Sequence, residues 1–458
     1  MNDKMTFFHA LEIDDGKCIG CSNCMKICPT EAIRIRGGKA FIQEGRCIDC
    51  GKCYAACPTK AIYIQQDDFD EIQKYPHSVA LVPAVFLSQF PDDVRVSRIY
   101  AAMKDLGFRH VFEVESAVAI YAEAKHRYAD AHKDDEPLIS GFCPAIVRLI
   151  QVKYPSLVNN IMPIKAPLDI SAEYAIKVLE EQDIPREAIG LFYITPCAAK
   201  IAAVKAPVGE TKSIIDGVIN MDSLYNRVFK KIKEQGKDYV FPPLQTPRLS
   251  SDAILSTLTN GERRICYAKR SYAIDGIQNV IDFLDKLEND EIEGVEFLEM
   301  RACDQSCAGT ILSCDNRFLI GERMYGRARK AAERIRNGEM PRDKEMDKYR
   351  DYLLSSVEVE QPKPRSMMIL DPDISKALEK MEQISQMKSY FPQIDCGLCG
   401  APTCNALATD IVCGNACKDD CVFVQRYKER TGEMNAEDSI SKLKAIWGED
   451  RILGEDKK

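Results

Sequence analysis

The sequence begins with a cysteine pattern that occurs twice. CIGCSNCMKICPTEAI starts at Cys18, and CIDCGKCYAACPTKAI starts 29 residues later, at Cys47. Both copies follow the spacing C-x2-C-x2-C-x3-C-P, which puts three thiols within one tight turn. Pro29 and Pro58 then end the two runs, because proline restricts the residue before it. A repeat this regular predicts one structural unit that is used twice.

The spacing of these eight cysteines indicates two interleaved metal clusters. Three thiolates can cover one face of an iron–sulfur cubane, so the fourth ligand comes from elsewhere in the chain. In two-cluster ferredoxins, the fourth cysteine of each run binds the other cluster. Zinc is the alternative, but zinc takes one set of four ligands in two pairs. We therefore predict one 4Fe-4S cluster on Cys18, Cys21, Cys24 and Cys57, and a second on Cys47, Cys50, Cys53 and Cys28.

The composition is that of an ordinary globular protein. The 458 residues suggest about two to four domains. A net charge of −8 without a long basic run argues against nucleic acid as a partner. The opening MNDKMTFFHALEIDDGKC does not look like a signal peptide, and no apolar stretch is long enough for a membrane helix. We expect a cytoplasmic protein, in which the 20 cysteines serve as metal ligands more often than as disulfides.

The middle of the chain alternates short apolar runs with amphipathic segments. The runs SVALVPAVFL, EPLISGF, IGLFYIT and VEFLEMRA predict strands. The segments VSRIYAAMKDLGF, AIVRLIQVKYPSLV, SAEYAIKVLEEQ and IQNVIDFLDKLEND predict helices. This alternation is typical of α/β folds with parallel sheets, in which ligands bind beyond the carboxyl ends of the strands. Four cysteines follow three of these strands, and they predict a further 4Fe-4S site: Cys143, Cys197, Cys303 and Cys307.

A last cysteine group has the spacing C-x2-C-x4-C-x16-C. It resembles a small 4Fe-4S domain at the ends of several redox and corrinoid proteins. This resemblance implies that the ligands are Cys396, Cys399, Cys404 and Cys421. A zinc knuckle is the alternative. The module would be an additional electron port or a docking surface. Four further cysteines match no ligand position and are interpreted as core or surface thiols: Cys266, Cys314, Cys413 and Cys417.

The three middle loops carry a more specific resemblance. FCPAIVRLIQVKYPSL, TPCAAK and EMRACDQSC resemble, in this order, the signature loops of the iron–iron (FeFe) hydrogenase catalytic domain. The resemblance extends through LGFRHVFE and KAPLD and covers about residues 77–330. It implies a two-lobed α/β domain with parallel sheets, preceded by an α+β ferredoxin-like module. It also implies an oxidoreductase that interconverts protons plus electrons and H2 under anaerobic conditions.

The resemblance also implies roles for individual residues. Cys143, Cys197, Cys303 and Cys307 would hold the 4Fe-4S part of the H-cluster, and Cys307 would bridge to a diiron centre that carries carbonyl and cyanide. Lys200 would lie beside a cyanide, whose negative charge a lysine ammonium stabilises in a dry pocket. Glu299 completes the implied catalytic set. Partners would be a ferredoxin or a flavin- or NADH-linked redox subunit, together with hydrogenase maturation proteins.

Several positions depart from the family pattern. Phe142 stands where the family has a proton-shuttle cysteine, and Thr195 and Arg301 replace methionines near the diiron centre. Gln305 and Ser306 replace a glycine pair, so we expect the third loop to fit differently. These changes leave a second hypothesis open, a redox or H2 sensor, or an iron–sulfur carrier or scaffold, that does not turn over.

Two residues before the first loop could supply another proton route. Glu123 and His126 lie on a predicted helix, where a solvated helix face is the simpler interpretation.

The sequence predicts five consecutive segments. They are the ferredoxin-like module at 1–66, the hydrogenase-like domain at 75–345, a linker and helix at 346–385, the C-terminal iron–sulfur module at 386–425 and a charged tail at 426–458. The linker is predicted because VEVEQPKPRS is charged and contains prolines. The tail is expected to fray or to pack loosely.

The four predicted cubane sites determine an iron content. Protein reconstituted anaerobically should contain about sixteen irons per chain, and about two more when a diiron centre is present. Elemental analysis of the purified protein measures this number. A total of about twelve irons together with one zinc would assign the C-terminal module to zinc instead.

Overall fold

The computed structural model describes residues 8–135, 137–235, 249–266, 269–338, 342–365, 367 and 370–449. The chain forms two compact units. The terminal unit contains Leu11–Gln65 and the chain from Arg365 onward, and the central unit contains Gln66–Pro364 with residues 8–10. The two predicted iron–sulfur modules therefore belong to one unit, although they lie at opposite ends of the sequence.

The first part of the terminal unit consists of two short antiparallel sheets and two short helices. Strand β1 (Leu11–Ile13) pairs with β4 (Ile62–Ile64), and β2 (Ile33–Arg36) pairs with β3 (Lys39–Ile42). Each copy of the cysteine repeat forms one helix, Asn23–Ile27 in the first copy and Lys52–Ala56 in the second. Both helices follow a left-handed residue, Ser22 with φ 66° and Gly51 with φ 74°. The sequence repeat is thus also a structural repeat.

The C-terminal part of the terminal unit is helical. Its helices are Ile374–Tyr390, Cys404–Val412, Val422–Thr431 and Ala436–Trp447. The expected loose tail is therefore wrong up to residue 447. Ile446 is buried, and the indole of Trp447 donates to the carbonyl of Leu398 at 2.9 Å. Residues 450–458 of that tail, like residues 1–7 of the first predicted module, lie outside the described residues.

The central unit contains two parallel sheets. Its strands are β5 (His77–Val82), β6 (His110–Glu113), β7 (Leu138–Ile139), β8 (Ile189–Thr195), β9 (Gly217–Asn220), β10 (Ser271–Asp275) and β11 (Phe297–Arg301). One sheet has the order β6–β5–β8–β9, and the other has the order β10–β11–β7. All seven residues of β8 are buried, as expected for a parallel strand covered on both faces. The predicted α/β fold with parallel sheets is confirmed.

Helices surround these sheets. They are Ala84–Leu87, Val96–Asp105, Val118–Ala131, Pro144–Lys153, Pro167–Glu180, Ala198–Lys205, Met221–Gln235, Ser251–Leu255, Gly261–Ile265, Ile277–Glu288, Arg317–Arg336 and Arg350–Ser355. The run SVALVPAVFL is not a single strand, because Pro83 ends β5 and a short helix follows it. None of the helices in the described part of the chain has the length and apolarity needed to cross a lipid bilayer.

The beginning of the predicted linker is packed instead of extended. Met346, Tyr349, Leu353 and Val357 are buried in one core cluster of the central unit. They recur at intervals of three and four residues, which aligns apolar side chains on one helical face. The charged residues between them concealed this pattern, so the predicted linker is wrong from 346 to 357.

A buried ion pair joins the two parts of the terminal unit. Arg34 in β2 and Asp410 in the helix Cys404–Val412 are 1% and 2% exposed. Arg34 Nε donates to Asp410 Oδ2 at 2.6 Å, and Arg34 Nη2 donates to Oδ1 at 3.2 Å. Beside this pair, the amide of Ile35 donates to the carbonyl of Gly400 at 2.9 Å. The C-terminal module therefore completes the surface of the hairpin formed by β2 and β3.

Removing one partner of this ion pair should destabilise the terminal unit strongly. Asp410→Asn leaves the Arg34 guanidinium buried without a counter-charge, which we expect to cost about 3–5 kcal/mol. Hydrogen–deuterium exchange of the helix Cys404–Val412 should become faster. In the control Arg426→Met, an exposed pair with Glu429 is lost, which should change exchange little because exposed pairs contribute about 0–1 kcal/mol. Equal protection in Asp410→Asn and the wild type would contradict a stabilising role.

Candidate functional site

Two cavities in the terminal unit are each lined by four cysteines. The first is lined by Cys18, Cys21, Cys24 and Cys57. The second is lined by Cys28, Cys47, Cys50 and Cys53. In each cavity, three thiols come from one copy of the repeat and the fourth comes from the other copy. This grouping provides two tetrathiolate sites of the kind that a cubane requires.

The backbone around the fourth cysteine of each copy donates to sulfur. The amide of Ala32 lies 3.2 Å from Cys28 Sγ, and the amide of Ala61 lies 3.2 Å from Cys57 Sγ. Burial works against the Cys57 thiolate, but hydrogen bonds from Ile62, Thr59 and Ala61 outweigh it and hold the pKa of Cys57 below its ordinary value. Hydrogen bonds of this kind also set the potential of an iron–sulfur cluster.

Other thiols in these cavities need a bound cation to ionise. Burial, together with the neighbouring Cys21 and Cys18, raises the pKa of Cys24 to about 12. Burial likewise raises the pKa of Cys50 to about 12. A bound metal supplies the missing positive charge, because metal ligation requires the thiolate and releases its proton.

A third cavity lies in the C-terminal module. It is lined by Cys396, Cys399, Cys404 and Cys421. The surplus thiols Cys413 and Cys417 are not among the residues that line it. Cys417 instead donates to Asp420 Oδ1 at 3.2 Å and lies 3.4 Å from Lys442 Nζ. The structure thus brings together the four cysteines that the spacing singled out.

The cysteine loops of the central unit follow the carboxyl ends of three strands. Cys143 follows β7 and caps the helix Pro144–Lys153, and Cys197 follows β8 and caps the helix Ala198–Lys205. Cys303 and Cys307 follow β11. A helix N-terminus favours a negative charge, which suits a metal-bound thiolate. Since β7 and β11 pair in one sheet and β8 belongs to the other, the loops come from both sheets.

Three of these four thiols interact electrostatically. Burial, opposed by Lys200 and assisted by Cys143 and Cys307, raises the pKa of Cys197 to about 12. Burial also raises the pKa of Cys307, against the opposing charges of Lys200 and Arg301. Cys303 lies in the same loop as Cys307, and its carbonyl accepts a hydrogen bond from the amide of Ser306 at 3.1 Å.

The two other residues of the predicted catalytic set are Lys200 and Glu299. They have different surroundings, because Lys200 lies beside the cysteine thiols and Glu299 lies beside Arg301. Burial works against the charged form of Lys200, but Tyr193, Cys307 and Cys197 outweigh it and raise the pKa of Lys200. Lys200 thus remains a cation beside the thiols. Glu299 is fully buried, its Oε2 accepts from the amide of Arg263 at 2.9 Å, and its Oε1 lies 3.7 Å from Arg301 Nε. Glu299 belongs to a charge cluster around Arg301.

The centre of this charge cluster is Glu262, which the sequence analysis missed. Its carboxylate is fully buried and lies 2.9 Å from Lys125 Nζ and 2.7 Å from Arg301 Nη2. The hydroxyls of Tyr121 and Ser140 donate to it at 2.8 Å. Burial works against its charge, but Lys125 and Arg301 hold the pKa of Glu262 well below its ordinary value. Lys125 in the apolar stripe of the helix Val118–Ala131 was the available signal.

Two residues that depart from the family pattern, Phe142 in the first loop and Arg301 before the third, are in contact. The ring of Phe142 is buried, with the Arg301 guanidinium 3.7 Å and Lys200 Nζ 4.7 Å from its centroid. Two cations therefore contact one aromatic ring, an arrangement that cation–π attraction stabilises. In the second loop, Thr195 Oγ1 donates to the carbonyl of Cys197 at 3.0 Å.

The third loop keeps a glycine-like backbone without the glycine pair. Gln305 and Ser306 have φ values of 63° and 51°, a conformation that costs non-glycine residues about 1–2 kcal/mol each. Asp275 Oδ2 offsets part of this cost, because it accepts from the amide of Gln305 at 3.1 Å and from Thr259 Oγ1 at 2.6 Å. Gln305 and Ser306 thus occupy the left-handed region, which glycine adopts without this cost.

The alternative proton-route residues are tied to other partners. Glu123 forms ion pairs with Arg127 at 2.8 Å and with Arg350. His126 Nε2 lies 2.7 Å from the carbonyl of Ile265. This arrangement favours the interpretation as an ordinary helix surface.

Comparison with known proteins assigns families to three segments. Residues 77–238 match the family "Iron only hydrogenase large subunit, C-terminal domain". Residues 10–58 match a 4Fe-4S dicluster domain, and residues 391–423 match a family described as a putative Fe-S cluster. The hydrogenase match includes Cys143 and Cys197 and ends before the third loop. These matches indicate iron–sulfur cofactors at both ends of the chain.

Individual relatives are hydrogenases. The chain is 30% identical over 275 residues to the periplasmic Fe hydrogenase large subunit of Nitratidesulfovibrio vulgaris, which covers 55% of this chain and 63% of that protein. It is 25% identical over 235 residues to iron hydrogenase 1 of Clostridium pasteurianum, which covers 49% of this chain and 39% of that protein. The matched region is thus less than two thirds of either relative.

A solved structure of a variant of FeFe-hydrogenase HydA1 from Chlamydomonas reinhardtii is 14% identical, with a TM-score of 0.45, and covers 63% of this chain and 95% of that chain. The family match agrees with the first two signature loops, around Cys143 and Cys197. Over residues 77–238 the chain is similar to the FeFe hydrogenase family.

Proposed function

We propose that this protein is a hydrogenase that interconverts protons plus electrons with H2, 2 H⁺ + 2 e⁻ ⇌ H2. The observation that supports this most directly is the convergence of Cys143, Cys197 and Cys307 with Lys200 in a buried part of the central unit. These residues lie on loops after strands of two sheets, where side chains from distant segments can meet at one site.

The residues present fit an H-cluster. Four cysteines on these loops would hold its cubane, and Cys307 would bridge to the diiron centre. The buried thiols need a compensating cation, and Arg301 Nη1 lacks an acceptor among the described residues, so the site suits a metal group with anionic ligands. When bound, such a group supplies an iron at which protons are reduced. Lys200 would stabilise a cyanide charge, and the buried surroundings would exclude water.

The terminal unit would carry electrons. Its three cavities would hold three 4Fe-4S clusters, which pass electrons singly, and the cubane of the central unit would be the fourth. We propose a reducing, anaerobic, cytoplasmic setting, because the twelve cysteines that line these cavities are thiols. A ferredoxin or a flavin- or NADH-linked subunit would exchange electrons with the chain, and maturation proteins would install the diiron unit.

A sensor without fast turnover is the second candidate function. The observation that favours it is Phe142, which offers no proton donor or acceptor and whose ring is covered by the Arg301 guanidinium. A thiol at this place could pass protons, whereas the phenyl ring blocks that route.

Two cysteine variants separate the active centre from the electron supply. Cys307→Ala should abolish H2 activity and the infrared bands of iron-bound carbonyl and cyanide, because it removes the proposed bridge. Cys21→Ala should keep those bands and slow electron entry from a protein donor. The control Cys314→Ala removes an exposed thiol outside all of these sites and should change neither property. Full H2 activity in Cys307→Ala would refute the proposed active centre.

Phe142 should make turnover proton-limited. H2 evolution should then show a solvent isotope effect, which Phe142→Cys should reduce while it raises the rate. Phe142→Leu is the control, since it also shortens the side chain but adds no proton donor. Both changes open space in a packed core, and large-to-small core substitutions commonly cost about 2–5 kcal/mol, so folding is checked by circular dichroism.

A second variant tests the surface route. Glu123→Gln should change the rate little, because Glu123 is held by Arg127 and Arg350. If Glu123→Gln slowed turnover sharply and Phe142→Cys did not raise it, protons would travel along the helix. An unchanged rate in both variants would favour the sensor.

A further inference from the structure

The guanidinium of Arg301 is buried and only partly paired. Arg301 is 2% exposed and ends β11, immediately before the third cysteine loop. Its Nη2 pairs with Glu262 and donates to the carbonyl of Ser256 at 3.1 Å. Its Nη1 has no hydrogen-bond partner among the described residues, and its Nε faces Glu299 Oε1 at 3.7 Å, beyond hydrogen-bond distance. Leaving a charged N–H group buried without an acceptor is costly, so Nη1 indicates an acceptor that the described part of the chain does not supply.

The surroundings of Arg301 identify where that acceptor lies. Cys143 and Cys307 are the thiols whose charges act on Arg301, and Arg301 in turn opposes the rise in the pKa of Cys307. Arg301 covers the ring of Phe142, which Lys200 Nζ also approaches. Arg301 and Lys200 thus flank the same aromatic side chain at the site where the cofactor would bind.

Neighbouring charges hold the guanidinium in this position. Glu262 lies 2.7 Å from Nη2, and Glu299 lies 3.7 Å from Nε. Lys125 pairs with Glu262 on its other side. The cluster contains two carboxylates and two cations, and burial raises the pKa of one of the carboxylates, Glu299. Glu262 and Glu299 provide opposite charge for Arg301, but neither accepts a hydrogen bond from its Nη1.

We propose that Arg301 is a second cationic contact of the cofactor, donating its free N–H groups to an anionic group of the cluster, with Glu262 and Glu299 as positioning residues. The acceptor is either a sulfur of the cubane or a cyanide of the diiron centre, which are both anionic acceptors. A donor of this kind stabilises the more negative, reduced state and raises the reduction potential. The inference rests on the proposed function for the identity of the cofactor.

The first test uses protein produced without maturation proteins, which carries cubanes but no diiron centre. In an EPR-monitored redox titration, Arg301→Met should shift the central cubane to a more negative midpoint potential and leave the accessory clusters unchanged. The signal of the central cubane is identified by its loss in Cys303→Ala. The control Arg317→Met removes a half-exposed arginine that pairs with Asp304 in the same loop, and it should not shift the potential.

The second test separates donation from charge balance. The double variant Arg301→Met/Glu262→Gln removes one positive and one negative charge, so it keeps the net charge of the cluster and avoids an unpaired Glu262. If Arg301 donates to the cubane, the double variant keeps the shifted potential. If Arg301 only neutralises Glu262, the double variant returns to the wild-type potential, which overturns the inference. Arg301→Lys, with a cation but fewer donors, should give an intermediate shift.

The third test asks whether Arg301 donates to a cyanide of the diiron centre. In matured protein, Arg301→Met should move an infrared cyanide band if the donor faces the diiron centre, while Arg317→Met leaves the bands in place. A shift in the potential or in the cyanide band supports the inference and identifies the acceptor. Unchanged values in both measurements overturn it. A chain that shows the potential shift but evolves no H2 would contradict the proposed function and leave the role of Arg301 intact.

Discussion

The buried carboxylate of Glu262 is the interaction on which the arrangement of the central site depends. It connects Tyr121 and Lys125 on one helix with Ser140 before the first cysteine loop and Arg301 before the third. A buried charge is tolerated only when it is fully paired, so each of these segments has one favourable position relative to the others. Two cysteine loops that are distant in sequence are thereby held in a fixed geometry.

The terminal unit is stabilised in a different way from the central unit. Its first part has strands of three or four residues and two five-residue helices, which bury little apolar surface. Burial in the cavities raises the pKa of Cys24 and of Cys50, so these two thiols ionise more readily beside a bound cation. Metal binding and folding are coupled in such a unit, because the binding free energy adds to the contribution of a small hydrophobic core. The central unit has two parallel sheets and a large hydrophobic core. The stability from this core offsets the desolvation cost of its buried charges.

Much of this architecture could be predicted from local sequence patterns. The grouping of cysteines around three cavities follows from short spacings, and IGLFYIT forms β8 over its full length because apolar runs of strand length are a local signal. The ligand roles of these cysteines remain predictions. The pairing of Glu262 with Arg301 and of Arg34 with Asp410 was not predictable, because a charged residue in a sequence gives no sign of whether a distant partner buries it. The charge cluster around Phe142 therefore became visible only in three dimensions.

The pairing of Arg34 with Asp410 also has a temporal consequence. The two residues are separated by 376 positions. At a synthesis rate of about 5–20 residues per second, Asp410 is synthesised roughly 20 to 75 seconds after Arg34. During this interval the β2–β3 hairpin lacks its counter-charge, while the ligands of both N-terminal clusters are already available. A nascent chain could therefore acquire these two clusters first and bury Arg34 only when the last helices are complete.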